Sequence, residues 1–320
     1  MEDSTICRAI RNAKKEESPF SPYLTDIYLT LIQGQQEIYY RLEHSGNLWN
    51  AAESRRLILP NKISGKLLNA ASILKSHHYG KLIAWEDAKF IMPRHSIFSI
   101  KDLETGLNFQ VQRRAGSDHA DVQPLTKEDT KIMKQIYNGR WSWKRKAILV
   151  YSDGTRLAAS MNGKPHGGDG IPGNGFSGHF CVHFLNSTTH RSKIPDLAHQ
   201  LMVQKAAGNL RPFFNSASPQ LLALSLVEAM DHKDSEMIRL VTEGAMHEKS
   251  ALLFRELHSL LSIRTVKQRK LEQNEPLLTK VELEVEIERK GRKKQIMVYQ
   301  FIFNRQSALT PWCILDFFIK

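Results

Sequence analysis

The chain has 320 residues, 41% hydrophobic and 24% charged, a length and balance that exclude both a mostly disordered chain and a single small domain. Its formal charge is +12, and residues 98–210 hold half of that excess with 15 Lys/Arg against 9 Asp/Glu, so a polyanionic partner is favoured. No apolar run approaches the roughly 20 residues of a membrane-spanning helix, and three cysteines (Cys7, Cys181, Cys313) are too few for a disulfide framework or a four-thiolate zinc site.

Residues 1–18 are polar and are expected to be a disordered tail. Met1 to Lys15 show no apolar stretch of a secretory leader, so the default expectation is cytoplasmic. Residues 19–96 are expected to form a helical region. Leu24, Ile27, Tyr28 and Leu31 fall on one helical face, and Ser21-Pro22 suits a cap followed by proline at the first helical position. Trp49–Leu57, Lys66–Lys75 and Trp85–Phe90 continue the pattern.

The period changes at Ile97. Ile97–Leu103 and Leu107–Arg113 are strand-like, with Glu104-Thr105-Gly106 as the turn between them. Thr126–Tyr137 reads as a helix, capped by Thr126 with Asp129 three residues on and stopped by Asn138-Gly139. Ala147–Ser152 and Arg156–Met161 form a hairpin over Asp153-Gly154, Phe180–Phe184 is a further strand, and Pro195–Ala207 is a closing helix. Residues 97–210 are therefore expected to be a β-rich domain.

Residues 211–320 are expected to be an α+β accessory domain. Leu221–Met230, Ser235–Val241 and Glu248–Leu261 are helical. Val281–Ile287, Ile296–Phe303 and Trp312–Ile319 form an antiparallel three-stranded meander. That element order is similar to the cystatin-like and nuclear-transport-factor-like folds. The basic cluster Arg289-Lys290 with Arg292-Lys293-Lys294 surrounds Gly291 at a hairpin tip. No zinc-finger spacing, aromatic RNA-binding signature or helix-turn-helix is present, so a nucleic-acid partner is not expected. The fold class is α+β throughout.

The chemistry concentrates between Met161 and His190. Seven of the 18 glycines lie from Gly163 to Gly178, and six of the 13 histidines from His119 to His199. The glycine loop lacks the Gly-Lys-Ser/Thr ending of a phosphate cradle. On a strand, His179, Cys181 and His183 share one face while Phe180, Val182 and Phe184 turn to the core. A thiol beside imidazoles is a candidate activated nucleophile, because a nearby cation or base lowers its pKa; a buried structural cysteine is the alternative. A metal site is a further reading, from His119, Asp121, His166, His179, His183 and His190. However, His179 and His183 lie ~13 Å apart on a straight strand by its rise per residue, and the spacing matches no common zinc motif. Ser117–Asp121 reads as a polar loop, or as a lining of the same cleft. Trp141-Ser142-Trp143-Lys144-Arg145 reads as a sheet-edge anchor, or as a platform for sugar or polyanion.

The stretch resembles the active-site signature of the L,D-transpeptidases, whose pattern is an upstream His-Gly followed by Ser-His-Gly-Cys-Ile/Val-Arg. His166-Gly167 stands 15 residues before Cys181, His179 falls two before it, and Val182 follows it. Gly178, Phe180 and His183 stand where that pattern has Ser, Gly and Arg. The resemblance covers residues 97–210 at most. It implies cysteine-dependent acyl transfer on peptidoglycan-type peptides through a thioester on Cys181, with a cell-envelope location and no cofactor. In this reading His166 is the base, oriented by a main-chain carbonyl near Gly167. His179 and main-chain N–H groups near Phe180 and Cys181 steady the oxyanion or acceptor. Gly167, Gly178, Phe180, His183, His119 and Asp121 line the substrate site. Peptidoglycan or another anionic polymer is the implied partner, with residues 211–320 available to a protein partner. The alternatives are a non-catalytic wall- or ligand-binding protein on the same scaffold, and a metal-dependent hydrolase using the His/Asp cluster.

Overall fold

In the computed structural model, which describes residues 4–19, 21, 23–168, 170–189, 192–243, 247–269 and 275–320, the segment expected to be helical divides evenly: the expected helices at Lys66–Lys75 and Trp85–Phe90 are present, and the stretches before residue 60 are strands. The chain divides into two units, Met1–His78 and Tyr79–Lys320. In the first, α1 (Ser4–Arg11) and β1 (Lys14–Glu17) replace the expected disordered tail. Next come β2 (Leu24–Gln33), β3 (Gln36–Glu43), β4 (Leu48–Asn50), β5 (Arg55–Ile58) and α2 (Asn61–His78). The strands form an antiparallel sheet in the order β1-β5-β4-β3-β2.

The helical reading of 24–33 fails for a physical reason. Thr25, Ile27, Tyr28, Thr30 and Ile32 are β-branched or aromatic, and such side chains suit a pleated surface better than a helix. A register shift between Leu24 and Tyr28 then breaks the period-2 alternation that would have marked the strand. Gln33 pairs with Gln36 across a two-residue turn, so the partner strand lies immediately downstream. Trp49–Leu57 likewise splits into the β4–β5 hairpin. Pro22 of the expected cap lies outside the described residues. Ile6, Ile10, Leu31, Leu42, Leu48, Leu57, Ile63 and Leu67 belong to this unit's core.

The second unit is built on a closed six-stranded barrel. After α3 (Trp85–Ile91) come β6 (Ile97–Asp102), β7 (Asn108–Ala115), β8 (Ala120–Pro124), α4 (Lys127–Ile136), β9 (Lys146–Ser152), β10 (Thr155–Met161) and β11 (Phe180–His183). The barrel closes in the order β10-β11-β8-β7-β6-β9. The local turn chemistry works as expected. Ser152 pairs with Thr155 across Asp153-Gly154, both with positive φ, and Thr126 and Asp129 form a capping box on α4. Ile100, Val111, Val122, Ile148, Ala159, Phe180, Val182 and Phe184 share the interior core. Trp141–Arg145 is not a sheet edge; it is non-strand chain leading into β9.

The remaining elements are α5 (Leu197–Ala206), α6 (Leu210–Asn215), α7 (Pro219–His232), α8 (Ser235–Val241), α9 (His247–Ser259), β12 (Leu260–Arg269), β13 (Leu278–Arg289), β14 (Gln295–Asn304) and β15 (Cys313–Ile319). The expected meander of three strands is a sheet of four, β12-β13-β14-β15. The missed strand β12 carries register shifts at Leu260/Ser262 and Thr265/Lys267. Each bulge flips the inward and outward phase, which erases the alternation. Gly291 does sit at the β13–β14 turn. One hydrophobic cluster runs from Ala147 and Ala158 of the barrel through Leu201, Leu226 and Val285 to Phe317, so the packing is continuous across position 210. The chain is α+β, and among the described residues no helix is long and apolar enough to cross a membrane.

Candidate functional site

The site lies on the outer face of β11. Phe180 and Val182 are buried in the barrel core, which leaves Cys181 and His183 pointing the other way. Strand pairing adds the rest. Cys181 pairs with Asp121 and Val182 with Ala120 across β8, and Ser160 pairs with His183 across β10. Directly opposed side chains lie roughly 5 Å apart at Cβ, so residues distant in sequence meet on one face.

The glycine loop brings in His166. His166 and His179 form an isolated antiparallel bridge, with main-chain hydrogen bonds of 3.0 and 2.8 Å. Gly178 makes the approach possible: its φ is +87°, and a Cβ there would lie 2.4 Å from the His166 carbonyl oxygen. Gly167 is equally constrained, since a Cβ would lie 2.3 Å from the His179 ring. His166 Nε2 stands 3.1 Å from Cys181 Sγ. Its Nδ1 lies 2.7 Å from the Lys164 carbonyl, so the orienting carbonyl is upstream of the histidine rather than at Gly167. The half-exposed Trp143 packs against the His166 ring at 4.9 Å.

A second imidazole approaches the sulfur from below. His119 is 1% exposed; its Nδ1 lies 2.8 Å from the Thr188 carbonyl and its Nε2 3.2 Å from Asp121 Oδ1. His179 Nε2 lies 3.6 Å from the same carboxylate oxygen. The His119 ring stacks on His183 at 4.3 Å, and His183 stacks on His199 of α5 at 3.7 Å. His199 Nδ1 meets Ser160 Oγ at 2.9 Å.

The electrostatics follow from these contacts. Burial pushes the Cys181 thiol up, but hydrogen bonds with His119 and His166 outweigh it and bring the thiol below its ordinary value. Burial opposes charge on His119, yet Asp121 and Cys181 push its pKa up to about 10. His166 is raised by its hydrogen bond to Cys181. His183 and His199 are held well below the usual imidazole range by burial. An activated thiol between one cationic and one titratable imidazole is equipped for nucleophilic attack.

Cys181, His166, His179, His183, His119 and Asp121 are therefore brought together. Gly167 and Gly178 shape the approach, and the Phe180 side chain faces the core, leaving only its main chain on the site. His119, Asp121 and His183 lie beneath the sulfur, closed to solvent. Sequence reasoning gave no part in the site to His199 or Ser160, because no local signal reports their partners. His190 and Arg191 lie outside the described residues.

Among the described residues, two sets offer metal donors within 4.8 Å of one another: His166/His179/Cys181 and His119/Cys181/His183. In the second, the two rings stack at an interplanar angle of 13°, so their in-plane lone pairs run side by side instead of converging. In the first, the 3.1 Å between Nε2 and Sγ is a hydrogen-bond distance. It is shorter than the ~3.5 Å implied by tetrahedral zinc at ~2.3 Å from sulfur and ~2.0 Å from nitrogen.

No family model and no curated protein matches the chain. Among solved structures, a variant of Rd1NTF2_05 aligns at 15% identity over 30% of this chain and 90% of that one, with a TM-score of 0.25. A SEC-C motif containing protein from Rhodopseudomonas palustris aligns at 19% identity over 36% of this chain and 89% of that one, with a TM-score of 0.27. Likenesses this slight carry no argument about fold or activity.

Proposed function

We propose that the second unit is a cysteine acyl-transferase of the L,D-transpeptidase kind, acting on peptidoglycan-type peptides through a thioester on Cys181. The observation that carries this reading is the 3.1 Å contact between Cys181 Sγ and His166 Nε2. It joins the two residues of the His-Gly and Cys signatures, 15 positions apart in sequence. The sulfur attacks a peptide carbonyl, forming the S–C bond while the carbonyl π pair moves to oxygen. Collapse expels the leaving amine, which takes its proton from His166. The neutral His166 then accepts a proton from the incoming amine as that amine attacks the thioester, and the thiolate departs.

An anionic polymer as partner is supported by the cavity of about 610 Å³ lined by Lys144, Arg145, Lys146, Lys205 and Lys233, together with Glu104, Asp234 and Glu236. Its lining residue Lys144 directly follows Trp143, which packs on His166. The test is intact-protein mass after incubation with a thiol-acylating carbapenem. A stoichiometric adduct present in wild type and absent in Cys181→Ala is expected. No adduct on folded wild-type protein would overturn the acyl-transfer reading in favour of a binding protein on this scaffold. Bound metal in the purified chain, with activity lost on chelation and retained in Cys181→Ala, would favour the metal hydrolase instead.

A further inference from the structure

A carbonyl oxygen that gains charge as sulfur attacks its carbon is stabilised by a hydrogen-bond donor already in place, and the main chain of β11 does not provide one. A strand's N–H groups lie in the plane of its sheet, at right angles to its side chains. β11 is paired with β10 on one side and β8 on the other. The N–H groups of Phe180, Cys181 and Val182 are therefore directed at neighbouring strands, away from the face that carries the sulfur. The His179 N–H is used as well, donating to the His166 carbonyl at 2.8 Å.

The strand register supplies a side chain instead. Ser160 pairs with His183 and Met161 with Val182, so the next residue, Asn162, stands opposite Cys181, and its N–H donates to the Cys181 carbonyl at 3.3 Å. Met161 belongs to the barrel core, which turns Ser160 and Asn162 to the other face. Ser160 meets His199 there. Asn162 stands beside the sulfur-bearing residue, the Cβ atoms of such a pair being roughly 5 Å apart. Asn162 is 3% exposed, and its amide oxygen is buried with no hydrogen-bond partner among the described residues. A buried amide left unpaired destabilises a fold, so its place needs a reason beyond packing. The main chain around it is pinned on both flanks. The Tyr137 hydroxyl donates to the Met161 carbonyl at 3.2 Å, and the Gly163 N–H donates to the Ser142 carbonyl at 2.8 Å.

We infer that the side-chain amide of Asn162 is the oxyanion donor for acyl chemistry at Cys181. The assignment deepens the acyl-transfer reading and rests on Cys181 being its nucleophile. As the sulfur bonds to the carbonyl carbon, the π pair moves to oxygen, and Nδ2 of Asn162 donates a hydrogen bond to that oxygen. When the pair returns, the bond to the leaving amine breaks and the amine departs with the proton from His166. Charge placement favours this side of the sulfur. Asp121 lies opposite Cys181 on β8, and its carboxylate repels an oxyanion. Asn162, opposite Cys181 on the β10 side, is neutral and carries two donor hydrogens.

The experiment compares two reactions of the same thiol in the full chain. Acylation by a carbapenem or by p-nitrophenyl acetate passes through an oxyanion. Alkylation by iodoacetamide displaces iodide at a saturated carbon and does not. Both are read by peptide mass mapping, so that Cys7 and Cys313 do not interfere. Asn162→Leu keeps the size of the side chain and removes the amide; Asn162→Ala removes both. In each, acylation of Cys181 is expected to slow about 100-fold or more, while alkylation stays within a few-fold of wild type. The melting temperature of Asn162→Leu should equal or exceed that of wild type, because apolar atoms replace an unpaired amide. A role in placing the sulfur would slow both reactions together, and a purely structural role would lower the melting temperature with the ratio of the two rates unchanged; either result overturns the inference. Side-chain amide NMR of wild-type protein carrying a peptide-aldehyde adduct on Cys181 tests the same contact without a variant. A downfield shift of an Asn162 amide proton is expected, and its absence would refute the assignment. Reaction of Cys181 with p-nitrophenyl acetate but not with the carbapenem would remove the peptidoglycan-type donor and leave the Asn162 comparison to decide its own case; reaction with neither would overturn both.

Discussion

Replacing Gly178 by alanine tests whether the glycine loop positions His166 against Cys181. The backbone at 178 has φ +87°, and the new Cβ would meet the His166 carbonyl oxygen at 2.4 Å and the Gly167 carbonyl oxygen at 2.9 Å. A left-handed conformation costs a residue with Cβ about 1–2 kcal/mol. Relieving the contact separates 166 from 178 and loses the two bridge hydrogen bonds at 3.0 and 2.8 Å, each contributing about 0.5–1.5 kcal/mol net. The loss is therefore about 2–5 kcal/mol, or roughly 5–15 °C in melting temperature for a unit of this size. Because His166 moves with its backbone, Cys181 alkylation near neutral pH should slow in the same variant. Gly168→Ala is the control: its Cβ meets nothing within 4 Å and its φ is not positive. Differential scanning calorimetry and alkylation on both variants decide the matter. A Gly178→Ala protein that melts within a degree or two of wild type and alkylates normally would refute the reasoning.

Three further outcomes follow from the same contacts. Unfolding lets His183 and His199 protonate below about pH 6.5, which their buried native sites resist, so stability falls as pH drops through that value. His119, raised to about 10, stabilises fully below about pH 6.5 and loses that contribution as pH rises toward 10. Melting profiles from pH 4.5 to 10 should therefore show a shallower acid limb in His199→Phe and a flatter alkaline limb in His119→Gln; unchanged limbs would count against both assignments. Asp196 caps α5 through the His199 N–H and pairs with Arg145 at 2.9 Å. Asp196→Ala should cost about 1–2 kcal/mol in urea denaturation, with Asp196→Asn recovering most of it as a cap. Phe301→Ala empties a fully buried site against Tyr299, Phe303 and Phe317 and should cost about 3–5 kcal/mol by the same method.

Local chemistry was legible in the sequence and long-range pairing was not. The capping box at Thr126, the Asp153-Gly154 turn and the inward facing of Phe180, Val182 and Phe184 depend on neighbours a few positions away, and each appears in the structure. β8 was hidden because Asp121 and Gln123 make its outward face polar and His119 stands just before it, which reads as loop until the burial of all three is known. The partnership of Cys181 with Asp121 depends on the β8–β11 register, which no local pattern encodes. The His183–His199 stack depends on how α5 lies on the barrel, a matter of tertiary packing. β2 and β12 were lost to register shifts, since a bulge disguises a strand from any test of alternation.

The bridge between His166 and His179 gives the loop it closes a kind of modularity. The loop is also tethered inside, where the Ile171 N–H donates to Gln123 and the Asn174 side chain to the Pro124 carbonyl. The exposed tip at Pro172-Gly173 carries neither restraint. Doubling a loop's length adds only about 0.6 kcal/mol of closure entropy. New residues grafted at that tip would lengthen the loop while the sulfur, held on β11 between β8 and β10, kept its place. Loop length and the geometry around the sulfur are thus separately adjustable in this chain.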